Sequence, residues 1–121
     1  MDRISIAVPV FNGNEKKYLN ECIDTGWVSA NGRFIEEFQK EFAAFCGTKY
    51  ALACSNGTVT LHLALLALGI KPGDEVIMPT LTYIATANAV KYCGAIPVFV
   101  DSEINTSNIN PKEIRKAVTS R

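Results

Sequence analysis

Three short strand-like runs, Tyr50-Ala51-Leu52-Ala53-Cys54, Glu75-Val76-Ile77-Met78 and Ile96-Pro97-Val98-Phe99-Val100, alternate with segments of helical periodicity. Apolar runs without polar alternation have no face to offer water, so such strands belong to a sheet covered on both sides. Strands of this kind separated by helices define βαβ units. The pattern predicts an α/β fold, a three-layer sandwich with helices on either side of a sheet. The punctuation agrees with it. Ser55-Asn56-Gly57-Thr58 leads into a helical pattern from Val59 to Leu68 closed by Gly69, and Pro72-Gly73-Asp74 makes a turn. A helix from Tyr83 to Tyr92, closed by Gly94, joins the second strand to the third. After Asp101, Asn110 caps and Pro111 opens a last helix running to Val118.

Two amphipathic helices precede the alternation. From Glu15 to Asp24, Tyr18, Leu19, Cys22 and Ile23 make one stripe, and Asn12-Gly13-Asn14 supplies capping side chains. From Arg33 to Cys46, Phe34, Ile35, Phe38, Phe42 and Phe45 return at three- and four-residue steps, and Gly47 offers the left-handed residue that ends a helix. Four phenylalanines on one face predict a place in the core. The chain thus divides into an N-terminal helical segment, 1–47, and an incomplete α/β domain, 48–121. Three strands make a thin sheet, and no strand follows the last helix before Arg121, so a fragment of a larger fold is expected.

Composition narrows the function classes. Of 121 residues 48% are hydrophobic and 20% charged, an ordinary globular balance. Twelve basic residues offset twelve acidic ones, leaving no single-sign field to draw nucleic acid or an anionic membrane. The apolar stretch from Val59 to Ile70 is broken by Thr60 and His62 and is too short to span a bilayer. Met1 to Pro9 lacks the apolar centre and cleavage site of a signal peptide, so a cytoplasmic location is expected. Cys22, Cys46, Cys54 and Cys93 form no CxxC pair and sit in apolar neighbourhoods, which predicts free core thiols. The single His62 has no ligand-spaced companion, and no metal site is expected.

Two places can carry chemistry. Ser55-Asn56-Gly57-Thr58 lies between a strand end and a helix start, where unpaired N–H groups and the positive end of the dipole favour an anion. Gly57 lets backbone approach a ligand or take a left-handed angle, and Ser55 and Thr58 add hydroxyl donors. A phosphate suits the turn. So does a plain N-cap in which Ser55 or Asn56 satisfies the amides and nothing binds. Neither GxGxxG nor GxxxxGK[ST] is present. Pro79-Thr80-Leu81-Thr82-Tyr83 lies at the carboxyl end of a strand, where open α/β sheets gather ligands. Tyr83 there suits stacking on a planar ring or packing on a neighbouring helix. Asp101, at the end of the third strand, reads as a solvated strand end or a cap.

In order along the chain stand Val8-Pro9-Val10 with Asn12-Gly13-Asn14-Glu15, Gly26-Trp27-Val28-Ser29, and Ser55-Asn56-Gly57-Thr58-Val59-Thr60-Leu61-His62. Pro72-Gly73-Asp74-Glu75-Val76-Ile77, Pro79-Thr80-Leu81-Thr82-Tyr83-Ile84-Ala85 and Pro97-Val98-Phe99-Val100-Asp101 follow. Together they resemble the DegT/DnrJ/EryC1/StrS family of nucleotide-sugar aminotransferases, which use pyridoxal phosphate. The Asn-Gly-Asn-Glu opening and the Pro-Thr-Leu-Thr-Tyr-Ile-Ala run are nearest its GDP-perosamine synthase branch.

The resemblance implies the N-terminal part of the large domain of a fold-type I aminotransferase. It maps the phosphate-holding Gly-Thr pair onto Gly57 and Thr58, with Asn56 beside them on the cofactor side. The aromatic residue that stacks on the cofactor ring maps onto Tyr83. His62 falls at a structural position. Trp27 and Ser29 belong to a segment near the active-site entrance and are implied substrate-side residues, packing being the other role for Trp27. No catalytic residue is implied within the chain. The aspartate facing the pyridine nitrogen and the Schiff-base lysine are expected beyond Arg121, and Lys16, Lys17, Lys40, Lys49, Lys71, Lys91, Lys112 and Lys116 match neither. The chain resembles about the first third of such an enzyme, and its first strand would pair with one from the remainder. The implied reaction moves an amino group from an amino acid, usually glutamate, to a keto-sugar nucleotide in amino-sugar and O-antigen polysaccharide biosynthesis. The full-length enzyme would be a homodimer, and this chain alone inactive. A sugar 3-dehydratase of the same family, with histidine for the lysine, is one alternative. A non-catalytic binding or regulatory relative and a nucleotide-binding Rossmann half are the others.

Overall fold

The computed structural model describes Ser5 and residues 7–120. The other residues of the opening read for a signal segment, and Arg121, lie outside the described residues. Elements follow in the order α1 (Glu15–Thr25), α2 (Arg33–Cys46), α3 (Gly57–Ala67), β1 (Glu75–Pro79), α4 (Ile84–Tyr92), β2 (Ile96–Val100) and α5 (Pro111–Ala117). They form two compact units, Met1–Ala53 and Cys54–Arg121. Among the described residues no helix is long and apolar enough to cross a membrane.

In the first unit α1 and α2 meet through Tyr18 and Phe34, with ring centroids 4.8 Å apart. The Arg33 guanidinium lies 2.6 Å from Glu21 of α1 and 3.1 Å from Glu37 of its own helix. Both helices end on left-handed glycines, Gly26 at φ 73° and Gly47 at φ 66°. The expected cap of α1 is absent. The Asn14 side chain makes no cap bond; instead the Glu15 carboxylate turns back to accept the Gly13 N–H at 2.9 Å. The phenylalanine stripe is likewise not a core here. Phe38 and Phe42 are about half exposed and Phe45 is 88% exposed, while only Ala43 of α2 is buried. Nothing among the described residues of this unit covers the stripe that periodicity aims inward.

Tyr50 to Cys54 is no strand. Its Ala53 N–H goes to the Gln39 side chain at 3.0 Å, and Thr48 bonds back to Ala43 and Tyr50. Strandedness requires a partner, and no strand pairs with this run among the described residues.

The second unit holds the predicted βαβ. β1 and β2 pair in parallel with no offset, Glu75 opposite Ile96 through Val76 opposite Pro97 to Pro79 opposite Val100, and α4 connects them. Ile96 N–H reaches Asp74 O at 2.8 Å, where the ladder begins. Met78, Ala87, Val90, Cys93 and Ala95 make the core, with Leu65, Ile70 and Val76 against it. The alanines let α4 approach the sheet closely, and α3 packs on α4. Gly94 turns the chain from α4 into β2 at φ 72°, tight against Pro72. Of the cysteines, all free, only Cys93 is in the core; Cys46 is exposed and the other two are half-buried. The apolar residues around Cys46 line the uncovered end of α2 rather than an interior. An antiparallel bridge between Ser102 and Ile109, which periodicity does not announce, closes the loop after Asp101.

Candidate functional site

Residues 55–58 lead from that run into α3. Asn56, in β conformation, is the N-cap, and its Oδ1 accepts the Val59 N–H at 3.0 Å. Its carbonyl takes the Thr60 N–H and the Thr60 hydroxyl, each at 3.1 Å. Gly57 and Thr58 are therefore the first two helical residues. Their N–H groups and the Thr58 hydroxyl have no acceptor among the described residues. Gly57 is not left-handed, so the turn does not use that freedom; the helix begins on it, two residues earlier than the periodicity predicts. What distinguishes it is room: a Cβ at Gly57 would meet no atom within 4 Å.

That arrangement shows the cap and leaves room for an anion beside it. One orphan amide is capped by Asn56, and two remain at the positive end of the helix. Two free amides, one free hydroxyl and unfilled space above a glycine fit a phosphate monoester. They fit nothing cationic.

In the same unit, the segment after β1 is tied to the end of β2. Thr80 sends both its N–H, at 2.9 Å, and its hydroxyl, at 3.3 Å, to the Val100 carbonyl. The Thr82 and Thr86 hydroxyls stand 2.9 Å apart, and Thr86 N–H bonds Tyr83 O at 3.0 Å. Tyr83 is the N-cap of α4 rather than its first residue, and its side chain makes no cap bond. Tyr83 is 79% exposed, with no helix of the described residues packed over it. Asp101 is exposed and accepts the Asn110 N–H through its carbonyl, as a strand end. His62 stands edge-on to Tyr92 at 5.6 Å between centroids, a packing contact between α3 and α4.

Trp27 and Ser29 lie in the first unit, both exposed, on a cavity of about 470 Å³ whose wall also includes Asn31 and Gly32. The structure thus gathers Asn56, Gly57 and Thr58 at one helix start and places Tyr83 at the start of the adjoining helix. In the first unit it sets Trp27 and Ser29 together on a largely apolar hollow. The tie from Thr80 to Val100 was not foreseen from the sequence. A threonine directly after a strand-ending proline is the signal that could have pointed to it.

Comparison with known proteins gives the context. The profile of the DegT/DnrJ/EryC1/StrS aminotransferase family matches residues 9–121. The chain is 56% identical over 121 residues to the GDP-perosamine synthase of Caulobacter vibrioides, covering 100% of this chain and 33% of that protein. The X-ray structure of the aminotransferase from Psychrobacter cryohalolentis superposes with a TM-score of 0.85 at 38% identity, over 92% of this chain and 28% of that one. The Escherichia coli GDP-4-keto-6-deoxy-D-mannose-3-dehydratase with bound hydrated PLP superposes at 0.84 and 28% identity, over 99% of this chain and 32% of that one. The chain spans about a third of the length of the curated relatives it matches. By the extent of that profile and the fold that goes with it, the chain belongs to the DegT/DnrJ/EryC1/StrS aminotransferase family.

Proposed function

We propose that the full-length protein carrying this chain is a pyridoxal-phosphate-dependent aminotransferase acting on a keto-sugar nucleotide, with GDP-perosamine synthase as its specific form. The observation that carries the reading is the 56% identity to such a synthase across the whole chain. The amino donor is an amino acid, glutamate in first place, and the assembly is a homodimer in the cytoplasm.

When bound, the cofactor supplies a carbonyl that accepts and returns the amino group and a pyridine ring that serves as electron sink. This chain's residues bind and orient. The Gly57 and Thr58 amides and the Thr58 hydroxyl hold the phosphate, Asn56 holds the turn that presents them, and Tyr83 covers one face of the ring. Thr80 keeps Tyr83 in place by fastening its segment to β2. Trp27 and Ser29 stand on the substrate side. The segment 48–121 is the cofactor-binding part and 1–47 the helical part that precedes it in sequence, and the lysine that would carry the covalent chemistry lies beyond Arg121.

The test incubates the full-length protein with pyridoxal phosphate, glutamate and GDP-4-keto-6-deoxy-D-mannose. The expected products are an amino-sugar nucleotide, detected by mass, and 2-oxoglutarate. The likeness to the Escherichia coli 3-dehydratase supports a second reading. Under it the product would lose the 3-hydroxyl and contain no sugar nitrogen.

A further inference from the structure

We propose that Asn31 is a site of spontaneous deamidation, selected by the fold from three Asn-Gly pairs, Asn12-Gly13, Asn31-Gly32 and Asn56-Gly57. An asparagine before glycine can close on the next backbone nitrogen, because no side chain shields that nitrogen. The Gly32 nitrogen bonds to Asn31 Cγ as the Cγ–Nδ2 bond breaks, and the side-chain nitrogen leaves as ammonia with the Gly32 amide proton. Water then opens the cyclic imide at either carbonyl, leaving aspartate or isoaspartate at 31; nothing is oxidised or reduced. Closure asks for a side chain free to swing and an amide able to shed its proton. Asn56 fails the first condition. Its Oδ1 accepts the Val59 N–H at 3.0 Å and its Nδ2 donates to Ser55 Oγ at 3.4 Å, so closure would uncap α3. Gly13 fails the second. Its N–H donates to the Glu15 carboxylate at 2.9 Å, and a negative charge beside an acidic group opposes loss of the proton. Asn31 meets both. It is exposed and outside any helix, and neither its side-chain amide nor the Gly32 N–H is hydrogen-bonded among the described residues. The product sets a new carboxylate in the wall of the hollow that holds Trp27 and Ser29.

The test holds the folded full-length protein in mildly alkaline, ammonia-free buffer and samples it over weeks by peptide mass mapping. Each of the three sites is scored for amide-to-acid conversion and for isoaspartate. Asn31 should convert several-fold faster than Asn12 or Asn56. In protein unfolded by guanidinium the three should convert at like rates, because the difference belongs to the fold and not to the shared dipeptide. Glu15→Gln removes the charge beside the Gly13 amide, so it should speed conversion of Asn12 and leave that of Asn31 unchanged. An Asn31 that stays intact in the folded protein, or that converts no faster than Asn12 and Asn56, overturns the inference. So does a ranking that persists in guanidinium, or an Asn12 rate that Glu15→Gln does not move, since either removes the fold as the cause of selection.

Discussion

Gly57 can be changed in a way that sets stability against binding. As the first helical residue, with no positive φ and open space at its Cβ, it has no structural need to be glycine. Gly57→Ala should leave the melting temperature of the full-length protein unchanged or raise stability by up to about 1 kcal/mol, since alanine suits a helix better. The added methyl fills the space where the phosphate would lie, so pyridoxal phosphate affinity should fall. Paired calorimetry and titration check both signs. Thr58→Val removes a hydroxyl contact and should cost on the order of 1–3 kcal/mol of cofactor binding with the fold intact. Tyr83→Ala should loosen the ring and shift the absorption band of the bound cofactor; an unaltered band returns Tyr83 to a structural role.

Between elements, the tightest junction is Gly94 against Pro72. A Cβ there would lie 2.9 Å from the Pro72 ring, at a φ of 72° that side chains rarely adopt. Gly94→Ala should therefore destabilise by roughly 1–3 kcal/mol through strain at the α4–β2 turn, read by urea unfolding of the full-length protein. Junctions of this kind are what the sequence displays best. Gly47 ends α2, Asn110 Oδ1 caps Lys112 N–H at 3.0 Å, and Pro111 opens α5, each by chemistry within a few residues. β1 and β2 were equally legible because both partners of their ladder lie in the chain. The Tyr50–Cys54 run looks the same in sequence and is no strand, since pairing is decided by another segment. The Phe38, Phe42 and Phe45 stripe shows the same limit: period marks a face, and only a neighbour makes it a core. For the candidate site, physics alone left phosphate and cap open at Ser55–Thr58; the Asn56 cap is present, and it leaves the Gly57 and Thr58 amides unbonded among the described residues. For Tyr83 the sequence left stacking and packing open, because exposure is decided by what neighbouring segments cover.

At the level of the whole molecule, the two units expose Phe45, Leu68, Tyr83 and Ile104 among many apolar side chains. Expressed by itself, the 121-residue chain should bind an environment-sensitive hydrophobic dye and associate as its concentration rises. A dye-silent monomer in sedimentation would contradict that. A last consequence follows from Pro97, opposite Val76 in the ladder. Proline has no N–H to give, so it is tolerated in outermost strands and hardly at all in central ones. β2 is thus the natural margin of the sheet, and recruits to it must line up beside β1. The same missing donor makes that margin a poor template for stray chains, guarding one flank of the protein against edgewise aggregation.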